Sequence, residues 1–102
     1  MKNKNYFIFF GNLANPLRIG IISILKEKER DVNGIAKELG MEQSKISHAL
    51  ARLKECNIVE VKSNGKQRIY SLNKKTILPI LGIIDKHSKL NCGGQCKFCS
   101  QH

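Results

Sequence analysis

Apolar residues along most of the chain recur at helical spacing, with one interval where the period changes to two. The aromatic cluster Tyr6, Phe7, Phe9 and Phe10 predicts a first helix from about Asn3 to Phe10. Asn15-Pro16 opens a second. Asn is a good N-cap, and a proline at the first helical position lacks only an N–H that would be unpaired anyway. Leu17, Ile21, Ile24 and Leu25 repeat at helical intervals. Ile19 and Ile22 widen that stripe, which predicts burial around much of the circumference. The mixed-sign run Lys26–Arg30 reads as the solvated end of this helix and a turn. Asp31 is placed to cap a third helix, whose stripe is Val32, Ile35, Ala36 and Leu39 and whose left-handed stop is Gly40. A fourth helix follows from about Gln43 to Asn57. It would bury Ile46, Ala49, Leu50 and Leu53, leaving Ser44, Ser47, His48, Ala51 and Arg52 on the opposite face.

The period then shortens. Ile58–Lys62 alternates with β-branched residues, and Asn64-Gly65 is a strong short hairpin signal because both residue types accept positive φ. Gln67–Leu72 is the predicted return strand, with Ile69 alternating against Arg68 and Tyr70. A last helix is expected from Thr76 to Leu90, with Pro79 tolerated in its first turn. Ile77, Leu78, Ile80, Leu81, Ile83 and Ile84 leave its first half with almost no polar side. Such a helix needs cover on two sides, and so small a domain offers one. A second subunit, with the aromatic first helix as another wall, predicts a homodimer through the N- and C-terminal helices. The alternative is a monomer that folds both helices onto its own core.

The 102 residues amount to one domain and leave no room for an α/β barrel or a full doubly wound enzyme domain. No apolar run reaches the roughly 18 residues of a membrane span. The stretch Tyr6–Phe10 is shorter than a signal-peptide core, so a cytoplasmic location is expected. Eighteen Lys and Arg against eight Asp and Glu give a net charge of +10. That excess favours polyanionic partners, either nucleic acid or an acidic membrane face. Between Gln43 and Lys75 eight basic residues oppose only Glu55 and Glu60, so a third of the chain is strongly basic.

Charge and pattern coincide at the third and fourth helices. Joined by a tight turn with Gly40, they form a helix-turn-helix. The second helix of that pair must enter the major groove of a DNA duplex with a short, polar, basic face. Gln43 suits adenine edges, while Ser44, Ser47 and His48 suit bases or phosphates. Lys45, Arg52 and Lys54 suit phosphates, which fix register and add salt-dependent affinity. The hairpin serves as a wing, carrying Lys62, Lys66 and Arg68 towards the backbone or minor groove. The predicted fold is therefore mainly α with a small β-hairpin wing, a winged helix-turn-helix. A module of this shape that binds other proteins is the competing reading.

The runs FGNLANPLRIGIISIL and DVNGIAKELGMEQSKISHALARLKECNIVEVKSNGKQRIYSL resemble the ArsR/SmtB family of winged-helix repressors over about residues 6–90. Three pieces carry the likeness: the helix opening at Asn15-Pro16-Leu17-Arg18, the Ile35-Ala36-x-x-Leu39-Gly40 helix, and Gln43-Ser44-x-Ile46-Ser47-His48-x-Leu50. The resemblance implies a homodimer on a palindromic operator, released when a metal, metalloid or redox signal is sensed. The sequence departs from the family in places. Glu42 stands where the family often has Ser, giving a weaker cap and a negative charge towards DNA. Val32–Leu39 has no cysteine. Lys74 and Thr76 occupy likely ligand positions at the start of the last helix, and His87, beside Asp85, alone falls near a matching place. The usual interfacial zinc site is therefore expected to be missing.

The end of the chain is outside that pattern. Residues 1–90 form the predicted DNA-binding and dimerisation domain, and residues 91–102 a cysteine-rich tail. In Cys92-x3-Cys96-x2-Cys99-x2-His102, three thiolates and an imidazole can complete a tetrahedral zinc shell. Three thiolates can equally hold a trivalent metalloid or three irons of a [4Fe–4S] cluster, or act as a thiol switch. The C-x3-C-x2-C spacing resembles that of radical S-adenosylmethionine enzymes, but the barrel those enzymes need does not fit here, so no enzymatic activity is expected. Cys56 is expected to be a small core residue. Two further readings remain: an interaction module whose tail is a structural zinc knuckle, and an iron–sulfur electron carrier, which would leave the basic segment and wing unexplained.

Overall fold

The computed structural model describes residues 4–91. Its elements run α1 (Lys4–Leu13), α2 (Pro16–Glu27), α3 (Val32–Leu39), α4 (Gln43–Glu55), β1 (Val59–Asn64), β2 (Gln67–Leu72) and α5 (Ile77–Asn91). Cys92, Cys96, Cys99 and His102 lie outside the described residues.

Each helix boundary has a local cause. Asn15 is extended and accepts the Arg18 N–H on its side chain ahead of Pro16, and Asp31 does the same for the Gly34 N–H. Gly40 stops α3 in the left-handed region at φ 63°. At the end of α4 that role falls to Asn57, at φ 58°. Its N–H donates to the Lys54 carbonyl, and the Ile58 N–H reaches back to the Leu53 carbonyl. This paired closure characteristically brings an apolar residue after the helix onto one in its last turns, and Ile58 and Leu53 are both buried.

This closure explains the exposure of Cys56. The cysteine is the C-cap of α4, and the left-handed turn at Asn57 swings Ile58 inwards in its place. The expectation of a core cysteine was wrong. Its Sγ accepts a hydrogen bond from Asn12 Nδ2 at 3.0 Å.

The core is assembled from Ile21, Ile22, Ile24 and Leu25 of α2, Ile35 and Ala36 of α3, and Ile46, Ala49, Leu50 and Leu53 of α4. Ile58, Val59, Tyr70, Leu72 and Ile77 close it. Ile19 stays exposed, so the buried stripe of α2 is narrower than the sequence suggested.

The hairpin register pairs Val59 with Leu72 and Val61 with Tyr70, ending at Asn64 opposite Gln67. Tyr70 and Leu72 therefore share the inner face, and Tyr70 is 7% exposed. The alternation of Ile69 against Arg68 and Tyr70 leaves open which side faces the core. What decides the face is the partner strand: Val59 and Val61 already point to the core, and antiparallel pairing puts Tyr70 and Leu72 beside them. The tip is also tighter than expected. Asn64 still belongs to β1, and Gly65 alone turns at positive φ, 65°.

The Lys26–Arg30 run divides in the structure. Lys28 and Glu29 are exposed, as expected for a turn. Arg30, however, is half-buried and pairs with Tyr70 as a one-residue third strand. Its N–H donates to the Tyr70 carbonyl at 3.1 Å, and its carbonyl accepts from Tyr70 N–H at 2.8 Å. Its side chain forms an ion pair with Glu38.

Leu50 is fully buried at the centre of this packing. Leu50→Ala should cost about 2–5 kcal/mol, from lost transfer energy and the cavity left behind. Chemical denaturation at fixed protein concentration reads this. A loss below about 1 kcal/mol would contradict the assigned core.

Candidate nucleic-acid interface

Packing determines the roll of α4. Ile46, Ala49, Leu50 and Leu53 fall on one side of the helix and are all buried. Gln43, Ser44, Lys45, Ser47, His48, Ala51 and Arg52 are all exposed, as the sequence predicted. Ser44, His48 and Ala51 form the crest, short enough for the helix axis to approach a ligand closely.

A groove runs along each side of this crest. One, about 430 Å³, lies between α4 and the first turn of α2 and is lined by Arg18, Ser44, Lys45, His48 and Arg52, among others. The other, about 590 Å³, lies between α4 and the wing, with Ser47, Lys54, Glu55, Arg68 and Tyr70 on its walls. Cationic side chains stand on both flanks of the crest, and Glu55 is the acid among the wall residues of these two grooves.

The wing residues separate into distinct groups. Arg68 shares the inner ribbon face with Tyr70, and its guanidinium carbon lies 5.9 Å from the Tyr70 ring centroid. This is a cation–π contact, and it holds the arginine over the groove beside α4. Lys66 follows Gly65 at the hairpin tip and borders a smaller hollow, with Asp31 and Asn33, at the start of α3. Lys62 pairs with Ile69, which places it on the opposite ribbon face from Arg68. The fold thus brings Arg68 to α4 and turns Lys62 away from it.

Sequence reasoning missed Arg18. The Asn15-Pro16-Leu17-Arg18 segment read as a helix start, and nothing in its spacing placed it beside α4. The start of α4 carries the weakness expected there, since Glu42 makes no side-chain capping hydrogen bond.

Among the described residues, no group of three or more His, Cys, Asp or Glu side chains is placed to hold a metal ion. Asp85 of α5 instead forms an ion pair with Lys26. No single described helix is long and apolar enough to cross a membrane.

Residues 15–61 match the profile described as "Bacterial regulatory protein, arsR family". The HTH-type transcriptional regulator Rv0081 of Mycobacterium tuberculosis is 33% identical over 79 residues, covering 76% of this chain and 69% of the relative. The chain belongs to the arsR family. The nodulation protein NolR of Rhizobium meliloti is 32% identical over 76 residues, covering 74% of this chain and 62% of its own length. The crystal structure of Rv0081 superposes with a TM-score of 0.78 at 28% identity, covering 91% of this chain and 97% of that one. The match extends beyond the profile to the wing and the last helix. As an arsR-family protein the chain is a DNA-binding transcriptional regulator and not an enzyme.

Glu42→Ser would add a side-chain cap at the start of α4 and remove a negative charge there. Thermal and denaturant unfolding should show a gain of about 0.5–1 kcal/mol. Affinity for duplex DNA, read by fluorescence anisotropy, should rise as well. Weaker DNA binding by this variant would contradict the placement of the α4 N-terminus against DNA.

Proposed function

We propose that the protein is a repressor that binds a palindromic operator as a homodimer and responds to a signal taken up by its cysteine tail. The observation that supports dimerisation is a set of large apolar side chains that this chain leaves exposed. Phe7 (63%) and Phe10 on α1, and Ile83 (68%) and Ile84 on α5, all face outward. Each of these two helices gives its other side to the core, through Phe9 and Leu13 of α1 and Ile77, Leu78 and Leu81 of α5. Uncovered aromatic and aliphatic side chains on both terminal helices are what a self-complementary contact would bury. Two-fold pairing would present two α4 crests, and dimeric helix-turn-helix proteins read half-sites about one helical turn apart.

The tail receives the signal. Three thiolates and one imidazole, from Cys92, Cys96, Cys99 and His102, form a donor set suited to zinc. The thiolates alone suit a metalloid, an iron–sulfur cluster or reversible disulfide chemistry. These residues directly follow α5, so engaging them restrains the end of a dimer helix. A change in how α5 packs alters the angle between subunits and the spacing of the two crests. The signal acts only through its different affinity for the two dimer arrangements.

Two experiments test this reading. The wild-type protein should sediment at twice the chain mass. Ile83→Asp should sediment as a folded monomer and lose about a hundredfold or more in operator affinity, because two linked contacts become one. A monomeric wild type without sequence-selective DNA binding would favour an interaction module instead. After anaerobic purification, elemental analysis should find stoichiometric metal, or thiol titration before and after oxidation a reversible thiol couple, which the triple Cys92→Ser, Cys96→Ser, Cys99→Ser variant lacks. Absence of both in the wild type would remove the sensing role.

A further inference from the structure

The geometry points to Arg18, on the first turn of α2, as a clamp on the DNA backbone beside the half-site that α4 reads. This inference deepens the operator-binding proposal and rests on it.

Three observations carry it. First, Arg18 shares the 430 Å³ groove with Lys45, His48 and Arg52, so three cations from two helices, with an imidazole between them, converge on one open hollow beside the crest of α4. No acid is among its wall residues. A helix lying in a major groove has a sugar–phosphate strand along each flank. Arg68 stands on the wing-side flank, and Arg18 is the matching cation on the other.

Second, the guanidinium is anchored at one end and available at the other. Nη1 donates to the Asn12 carbonyl at 3.1 Å, and no acceptor among the described residues meets Nε or Nη2. A fork with one nitrogen held and the other two without an acceptor among the described residues, on a side chain that lines the hollow, can take the two oxygens of a phosphodiester.

Third, the anchor belongs to α1. Asn12 sits in the last turn of α1, and its amide also donates to Cys56 Sγ at the end of α4. One residue therefore ties the start of α2 to the end of the recognition helix. The orientation of Arg18 depends on how α1 is seated, and α1 carries the exposed rings of Phe7 and Phe10. The clamp and the dimer contact thus share an element.

The test uses the full-length protein and an operator duplex selected from a random pool. Arg18→Gln keeps an amide donor for the Asn12 carbonyl and removes the charge. Binding is measured across a salt series. The slope of log K against log salt should become shallower by about 0.9 per protomer, roughly 1.8 for the dimer. The ratio of operator to unrelated-duplex affinity should hardly move, because a phosphate contact carries no sequence information. Unchanged slope and affinity in a folded, dimeric Arg18→Gln protein would overturn the clamp. Lower affinity with the full slope would also overturn it, and would leave Arg18 only an internal brace for α1.

Should Arg18→Gln unfold, the wild type can be probed with duplexes carrying neutral methylphosphonate linkages. A loss of affinity confined to linkages within the α4 half-site, with none at its α2-side edge, would again refute the clamp. The double variant Ser47→Ala, His48→Ala separates the two levels of the proposal. If it keeps full operator preference, the assignment of α4 fails. A lost preference for this variant alongside an unchanged Arg18→Gln slope rejects the clamp alone.

Discussion

Burial of Ile46, Ala49, Leu50 and Leu53 against α2, α3 and the strands is the constraint from which the rest of this structure follows. These four side chains leave α4 one admissible roll. Rotating the helix by a quarter turn would move apolar residues into water and bring Arg52 or Lys45 into an apolar core, at a cost of several kcal/mol. The outward direction of Ser44, Ser47 and His48 is thus set by residues that never approach DNA. The α4 crest, the surface proposed to meet DNA, takes its direction from the core beneath it.

The flanks of that surface are supported separately. On one side, the wing is tied to the body by the Arg30–Tyr70 bridge and by Tyr70 lying in the core. Arg68 rests against the same tyrosine ring. On the other side, Asn15 and Pro16 start α2 next to the groove beside α4, and Arg18 projects from that first turn. Both flanking cations are therefore held by structural residues. Such anchoring reduces the entropy lost when a long side chain is immobilised on binding.

Local rules made much of this legible from sequence. Asn15-Pro16, Asp31 and Gly40 mark helix boundaries because capping is a property of a few adjacent residues. The stripes of α3 and α4 locate their buried faces for the same reason. The failures involve contacts between distant segments. The facing of Tyr70 stays open until its pairing with Val61 is known. Arg30 reads as part of a polar turn until β2 arrives beside it, 40 positions later. Cys56 reads as a core residue because the left-handed closure at Asn57 is hard to see in a sequence with no glycine there. Arg18 was recognised only as part of a helix opening, since its nearness to His48 and Arg52 is a product of tertiary packing. Lys62 and Arg68 both look like wing cations, and only the register separates their faces.

The most direct test of the central claim is methylation protection on the bound operator. Dimethyl sulfate reacts with guanine N7 in the major groove and adenine N3 in the minor groove. If the α4 crest is presented as described and the protein binds as a pair, guanine N7 should be protected in two clusters about one helical turn apart. Protection confined to adenine N3, or a single cluster, would contradict the account.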